Sequence, residues 1–167
     1  MVTDKKLIIL RGNSGSGKSS VAEALQHRIG RNTLIIPQDT VRREMLWAHD
    51  GMGTLALPLL TELLRYGYEH CAITILEGIL NAQWYRPLFE TAIALFGDNI
   101  FAYYYDLPFE ETLKRHATRR IRLDFGEEEM RRWWHEKDYI GFIPETTILK
   151  DTSLADTVDL IMQAISV

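Results

Sequence analysis

Short apolar runs alternate along the chain with stretches in which apolar residues recur every three or four positions. Lys6-Leu7-Ile8-Ile9-Leu10, Leu34-Ile35-Ile36, Ile73-Thr74-Ile75-Leu76 and Ile100-Phe101-Ala102-Tyr103 lack polar alternation, as strands covered on both faces do. With a fifth run near the C-terminus they predict strands at about 6 to 11, 33 to 36, 72 to 76, 100 to 105 and 146 to 149. Helical periods fall at roughly 18 to 29, 40 to 48, 54 to 69, 82 to 96, 108 to 121, 127 to 138 and 153 to 165. The first is set by Val21, Ala22, Leu25 and Ile29. The last carries a stripe of Leu154, Val158, Ile161, Met162 and Ile165 behind a capping-box-like Ser153 and Asp156. Strands alternating with helices in this way predict an α/β fold, a parallel sheet with helices on both faces.

At 167 residues the chain is expected to form one domain, 1 to 167. No internal repeat, low-complexity stretch or linker interrupts it, and Gly51-Met52-Gly53 reads as a turn between two helices. The first strand begins almost at once with no leader pattern ahead of it, and no apolar run approaches the roughly 18 residues of a membrane span, so a cytoplasmic protein is expected. Cys71 stands alone, which excludes a disulfide within the chain and predicts a buried apolar thiol. The five histidines show no ligand spacing. A net charge of −4 argues against a long footprint on nucleic acid and leaves a short one open.

The chemistry concentrates behind the first strand. Gly12-Asn13-Ser14-Gly15-Ser16-Gly17-Lys18-Ser19 fits G-x-x-x-x-G-K-[ST] at every fixed position, with Ser20 next in the helix. Its glycines let consecutive N–H groups turn inward on phosphate oxygens, above the positive end of a helix. The motif predicts a nucleoside triphosphate site in which Lys18 reaches the β- and γ-phosphates and the Ser19 hydroxyl ligands Mg²⁺.

In an open parallel sheet the ligand lies beyond the carboxyl ends of the strands. Asp39, past the second strand, is either a general base for an acceptor hydroxyl or the N-cap of the next helix. Arg42, one turn on, is placed to bind the acceptor. Glu77, at the end of the third strand, either holds Mg²⁺ through water beside the acceptor or caps the following helix. Trp47 and Trp84 each follow a polar strand end and are the aromatic candidates for an acceptor pocket, whereas Tyr103 to Tyr105 and Trp133-Trp134 are expected to pack in core or lid. Lys114, Arg115, Arg119, Arg120, Arg122, Arg131 and Arg132 form the densest cationic segment. Arg131 and Arg132 read as surface ion-pair residues, while Arg115 and Arg119, four apart, can clamp phosphates from one helix face.

With these residues in place the chain resembles the small P-loop kinases of the nucleoside-monophosphate-kinase-like superfamily, in particular 5′-polynucleotide kinase domains, chloramphenicol phosphotransferase and the zeta-toxin kinases. The resemblance implies a three-layer α/β/α P-loop NTPase fold with a five-stranded parallel sheet and a helical lid at about 115 to 126. It implies that Asp39 is the catalytic base with Arg42 three positions on. It also makes Arg119, which ends the run from Asp106-Leu107-Pro108, the lid arginine on the ATP phosphates. Leu149-Lys150-Asp151-Thr152-Ser153 is similar to the segment beside adenine, which implies base contacts from Lys150, Asp151 and Thr152. Glu77-Gly78 looks like the element of uridine kinases and zeta toxins, where polynucleotide kinases have Asp.

The implied activity is ATP- and Mg²⁺-dependent transfer of the γ-phosphoryl to a hydroxyl of a small-molecule or nucleoside-like acceptor. The alternatives are a 5′-hydroxyl oligonucleotide kinase and, from another class, a GTPase-like switch. For a switch the guanine-reading N/T-K-x-D motif is missing, and Asp50-Gly51-Met52-Gly53 follows a helical pattern rather than a strand. Pocket residues in the 43 to 66 and 79 to 90 segments would set the acceptor.

Overall fold

The computed structural model describes residues 4–118 and 125–166. The apolar runs become β1 (Lys6–Gly12), β2 (Leu34–Pro37), β3 (Ile73–Gly78), β4 (Ile100–Tyr105) and β5 (Glu145–Ile148). They form one parallel sheet in the order β2-β3-β1-β4-β5. β1 is central, and its side chains divide by the period of two. Leu7 and Ile9 join one buried cluster, with Leu60 and Leu64 of α3 (Ala56–His70) and Phe89 of α4 (Arg86–Phe96). Ile8 and Leu10 join the other, with Val21 and Leu25 of α1 (Lys18–Ile29) and Ile161 of α7 (Leu154–Ile165). Two covered faces explain why the strand shows no polar alternation. Each fully buried Leu or Ile contributes about 1.5–3 kcal/mol relative to exposure.

Tertiary contacts trim several of the helices that periodicity predicts. The expected helix at 40 to 48 begins at Gln38, is α-helical over α2 (Gln38–Thr40) and widens into a π-helical turn, Val41–Met45. It ends at Met45 with Leu46 as the C-cap, and Trp47 just beyond has left-handed backbone (φ 49°). The expected helix at 82 to 96 starts only at Arg86, because the Asn81 carboxamide oxygen accepts the N–H groups of Gln83 and Trp84 and holds 81–84 as a turn. The expected helix at 127 to 138 stops at α6 (Glu127–Arg132), since the next backbone groups are taken elsewhere: Asn13 bonds both the N–H and the carbonyl of His135.

α5 (Phe109–Ala117) ends in Thr118, and residues 119–121 of the expected fifth helix lie outside the described residues. β5 begins one residue earlier than expected, at Glu145. On α7 the Ser153 hydroxyl accepts the Asp156 N–H at 3.0 Å, as the capping pattern requires. The buried face there is Thr157, Val158, Ile161 and Ile165, while Leu154, placed in the apolar stripe from sequence, is exposed. Cys71 is buried, and Tyr103, Tyr104 and Tyr105 are core residues. Trp133 and Trp134 pack edge-on against Phe125 and Phe109. Among the described residues no helix is long and apolar enough to cross a membrane.

Candidate active site

The loop from Gly12 to Gly17 is built on backbone that only glycine adopts without strain. Gly15 has φ 79° and Gly17 has φ 96°. Space is as restrictive as torsion: a Cβ on Gly15 would stand 2.6 Å from the Thr112 carbonyl oxygen, and one on Gly12 would stand 2.9 Å from Cβ of Tyr105. Lys18 opens α1 and is buried; its ammonium donates to the Asn13 carbonyl (2.9 Å) and to Ser16 Oγ (3.0 Å), inside the curl of the loop. Ser19 Oγ donates to Glu77 Oε1 at 3.1 Å. Glu77 is buried and is flanked in register by Leu10 on β1 and Pro37 on β2. The helix after β3 begins nine residues later, behind a Tyr85 N-cap with no side-chain cap bond, so Glu77 does not cap it. Asn13 contributes backbone to the loop, because its carboxamide is committed to His135 at 2.6 and 2.8 Å.

On the β4 side of the loop lies a cavity of about 350 Å³. It brings together the predicted nucleotide-site residues Gly15, Ser16, Gly17, Ser20, Arg115, Lys150, Asp151 and Thr152. Arg115 ties this wall together, donating to the carbonyls of Ser16 (2.7 Å) and Lys150 (3.2 Å) while Glu111 pairs with its Nε at 3.1 Å. Arg119 lies outside the described residues.

On the β2 side a second cleft, of about 500 Å³, is lined by Asp39, Arg42, Arg43, Glu44, Trp47 and His49 among others. Asp39 does not cap the helix. Pro37 holds the N-cap position, no side-chain cap bond forms, and the Asp39 carboxylate instead accepts from Arg42 Nη2 (2.8 Å) with Arg43 Nη1 at 3.5 Å. Half of its side chain remains exposed. Trp47 stands at the rim of this cleft, 93 % exposed. Trp84 lies elsewhere, packed against the core beside α4 and edge-on to His135.

Behind Asp39 runs a polar chain that sequence reasoning missed. Gln38 Nε2 donates to the Tyr85 hydroxyl (2.9 Å), which donates to Asp50 Oδ1 (2.6 Å), and Asp50 Oδ2 lies 3.8 Å from Arg42 Nε. Burial, and after it the bond to Asp50, pushes the Tyr85 phenol well above its ordinary range. Gly78 leaves room for this chain, because a Cβ there would meet Gln38 at 2.7 Å.

Also missed was Arg11, fully buried next to Gly12. It bonds Glu145 at 2.7 Å, Asp138 at 3.0 Å and the Leu80 carbonyl twice, and so fixes the turn after β3, where Leu80 has φ 47°. A guanidinium within an apolar strand was the available signal, since a buried charge demands partners.

This is the architecture of a P-loop nucleotide-binding α/β protein. A family model described as Zeta toxin matches residues 2–46, the stretch that carries β1, the phosphate loop, β2, Asp39 and Arg42. A comparison with the curated proteins finds no match. Among solved structures the chain is similar to a gluconokinase from Sinorhizobium meliloti 1021, with 18 % identity, TM-score 0.64 and coverage of 98 % of this chain and 93 % of that one. It is similar to the Mycobacterium tuberculosis APS kinase in complex with AMPPNP and APS (18 % identity, TM-score 0.61, 98 % and 99 % covered). It is also similar to a shikimate kinase from Acinetobacter baumannii in complex with shikimate (22 % identity, TM-score 0.64, 98 % and 94 % covered). The chain has the fold of the small P-loop kinases.

Proposed function

We propose that this chain is an ATP- and Mg²⁺-dependent kinase that transfers the γ-phosphoryl of ATP to a hydroxyl of a small-molecule acceptor. The observation that carries this reading is the pair of cavities, one on each side of the phosphate loop, with a carboxylate on the far wall. Asp39 stands two residues beyond Pro37, Gly12 two residues beyond Leu10, and both strands flank Glu77. Strands spaced by about 4.8 Å put the two chain ends about 10 Å apart, room for a phosphoryl group and an attacking oxygen.

The acceptor oxygen attacks the γ-phosphorus in line, the bond to the β,γ-bridging oxygen breaks, ADP leaves with that electron pair, and the acceptor proton passes to Asp39. Arg42 holds the carboxylate toward the cleft. Lys18 follows the charge onto the bridging oxygen, and Arg119, in the proposed lid of about 115 to 126, neutralises the equatorial oxygens. Lys150, Asp151 and Thr152 border the base. The hydroxyl of Ser19 and the carboxylate of Glu77 form an all-oxygen pair suited to a phosphate-borne Mg²⁺. Among the described residues there is no group of three or more His, Cys, Asp or Glu able to hold a metal alone. Bound there, Mg²⁺ would neutralise phosphate charge.

The test is Asp39→Asn, assayed with labelled ATP over nucleosides, amino sugars, antibiotics and 5′-hydroxyl oligonucleotides. The expected variant is folded, binds ATP normally and transfers about 10²–10⁴-fold more slowly. Near-normal turnover would sink the assignment of the base.

A further inference from the structure

Among the described residues the cleft on the β2 side contains two arginines, and both already face the Asp39 carboxylate. Arg42 is bonded to Asp39 at 2.8 Å and to the Ala48 carbonyl at 3.2 Å, with Asp50 3.8 Å from its Nε. Arg43 faces Asp39 at 3.5 Å and lays its guanidinium over the Phe125 ring, 5.5 Å from the centroid. Glu44 is a further carboxylate on the same wall. Among the described residues that line the cleft, two guanidinium groups stand against Asp39 and Glu44, so their charges balance, and Asp50 adds a carboxylate behind Arg42. A phosphate or carboxylate on the acceptor would have to displace Asp39 from Arg42 and would then face the displaced carboxylate.

The second observation is Trp47. It is 93 % exposed at the rim, with Met45, Met52 and Leu55 also exposed nearby along the chain. The backbone on its far side is bracketed by Arg42, whose carbonyl accepts the Ala48 N–H at 2.8 Å and whose Nη1 donates to the Ala48 carbonyl. A tryptophan in left-handed backbone, held out from the protein by the same arginine that orients Asp39, gains little from folding. It gains from a ring laid on its face.

We propose that the acceptor is an uncharged hydroxyl compound with a flat ring face, such as a glycoside or nucleoside, which stacks on Trp47 with a hydroxyl directed at Asp39. Sugar phosphates, nucleotides and oligonucleotides are disfavoured, because an added anion has to compete with Asp39 for Arg42. This inference takes from the kinase reading only that the cleft holds the acceptor.

The experiment pairs phenyl glucoside with its 6-phosphate and adenosine with its 5′-monophosphate. Binding is followed by tryptophan fluorescence in the wild type, in Trp47→Ala and in Glu44→Lys, and transfer from labelled ATP is measured in parallel. The neutral member of at least one pair should bind at least about tenfold more tightly than its anionic partner. Binding of the neutral probes should weaken in Trp47→Ala, and the preference itself should narrow in Glu44→Lys, which adds a cation to the wall. Equal or tighter binding of both anionic partners overturns the proposal. So does a response unchanged in Trp47→Ala, or no response to any probe. If neutral probes bind through Trp47 but no phosphate is transferred, the ligand class holds and the kinase assignment fails. If transfer occurs with the anionic partner preferred, the reverse is true.

Discussion

Arg11→Met tests whether the buried ion network holds the site together. The guanidinium is fully buried and spans Glu145 on β5, Asp138 in the segment after α6, and the Leu80 carbonyl in the turn after β3. Methionine fills much of the same volume and removes every one of those bonds. Glu145 dominates the penalty, because its side chain is only 1 % exposed whereas Asp138 is 23 % exposed. Breaking a buried pair by removing one partner costs about 3–5 kcal/mol. For a domain of this size each kcal/mol lowers the midpoint by about 2–4 °C, so Tm should fall by about 6–20 °C. Urea and thermal unfolding followed by circular dichroism measure it. The penalty comes from stranded carboxylates, so adding Glu145→Leu and Asp138→Asn to Arg11→Met should recover most of the loss. A single variant within about 1 kcal/mol of wild type, or a combined variant no more stable than the single one, would refute the reasoning.

Other outcomes follow from the same geometry. Gly15→Ala should abolish ATP binding in equilibrium dialysis, because the new Cβ meets the Thr112 carbonyl at 2.6 Å on a backbone with φ 79°; wild-type affinity would show that the loop shifts freely. Glu77→Gln should raise the Mg²⁺ needed for half-maximal turnover by about tenfold with a smaller effect at saturating metal; an unchanged metal dependence would leave Glu77 a mere partner of Ser19. Tyr85, Tyr103, Tyr104 and Tyr105 all have phenols raised above the ordinary 10.0, each chiefly by burial. Such groups bind protons more tightly folded than unfolded, so their contribution is complete below pH 10 and is lost as pH rises above it. An alkaline absorbance titration should find these four ionising together with unfolding, and a single class of seven tyrosines ionising in the folded chain would contradict it.

The strands, the phosphate loop and the polar strand ends were legible because each has a local cause. Two-sided burial leaves an unbroken apolar run at Leu7 to Leu10, and three glycines with Lys18 and Ser19 spell out their own geometry. Where helices stop was not legible, because the deciding partners are distant in sequence. Asn13 ends the path of α6 from 122 residues away, and the turn before α4 is held partly by Asp138 on the Ala82 N–H. Asp39 was ambiguous for the same reason. An aspartate ahead of a helical pattern reads equally as cap or base, and only the cap reading is removed by finding Gln38 inside the helix and Arg42 on the carboxylate. The chain from Gln38 through Tyr85 to Asp50 joins three segments with no motif to connect them.

The placement of β1 between β3 and β4 has a consequence for how such a molecule can diversify. Among the described residues, those bordering the 350 Å³ cavity come from the last residue of β4, from the loops after β1, β4 and β5, and from the elements that those loops lead into. Among the described residues, those bordering the 500 Å³ cleft all come from the segment 39 to 49 that follows β2. The two halves meet along β1 and share little wall, so one can be recut while the other is left intact. The stretch from Gln38 to Leu55 is in effect a replaceable cassette, anchored by Gln38 and Asp50 on Tyr85 and free to vary at Arg43, Glu44, Trp47 and His49. Exchange of that cassette between chains of this fold should carry ligand preference with it and leave the triphosphate side unaltered.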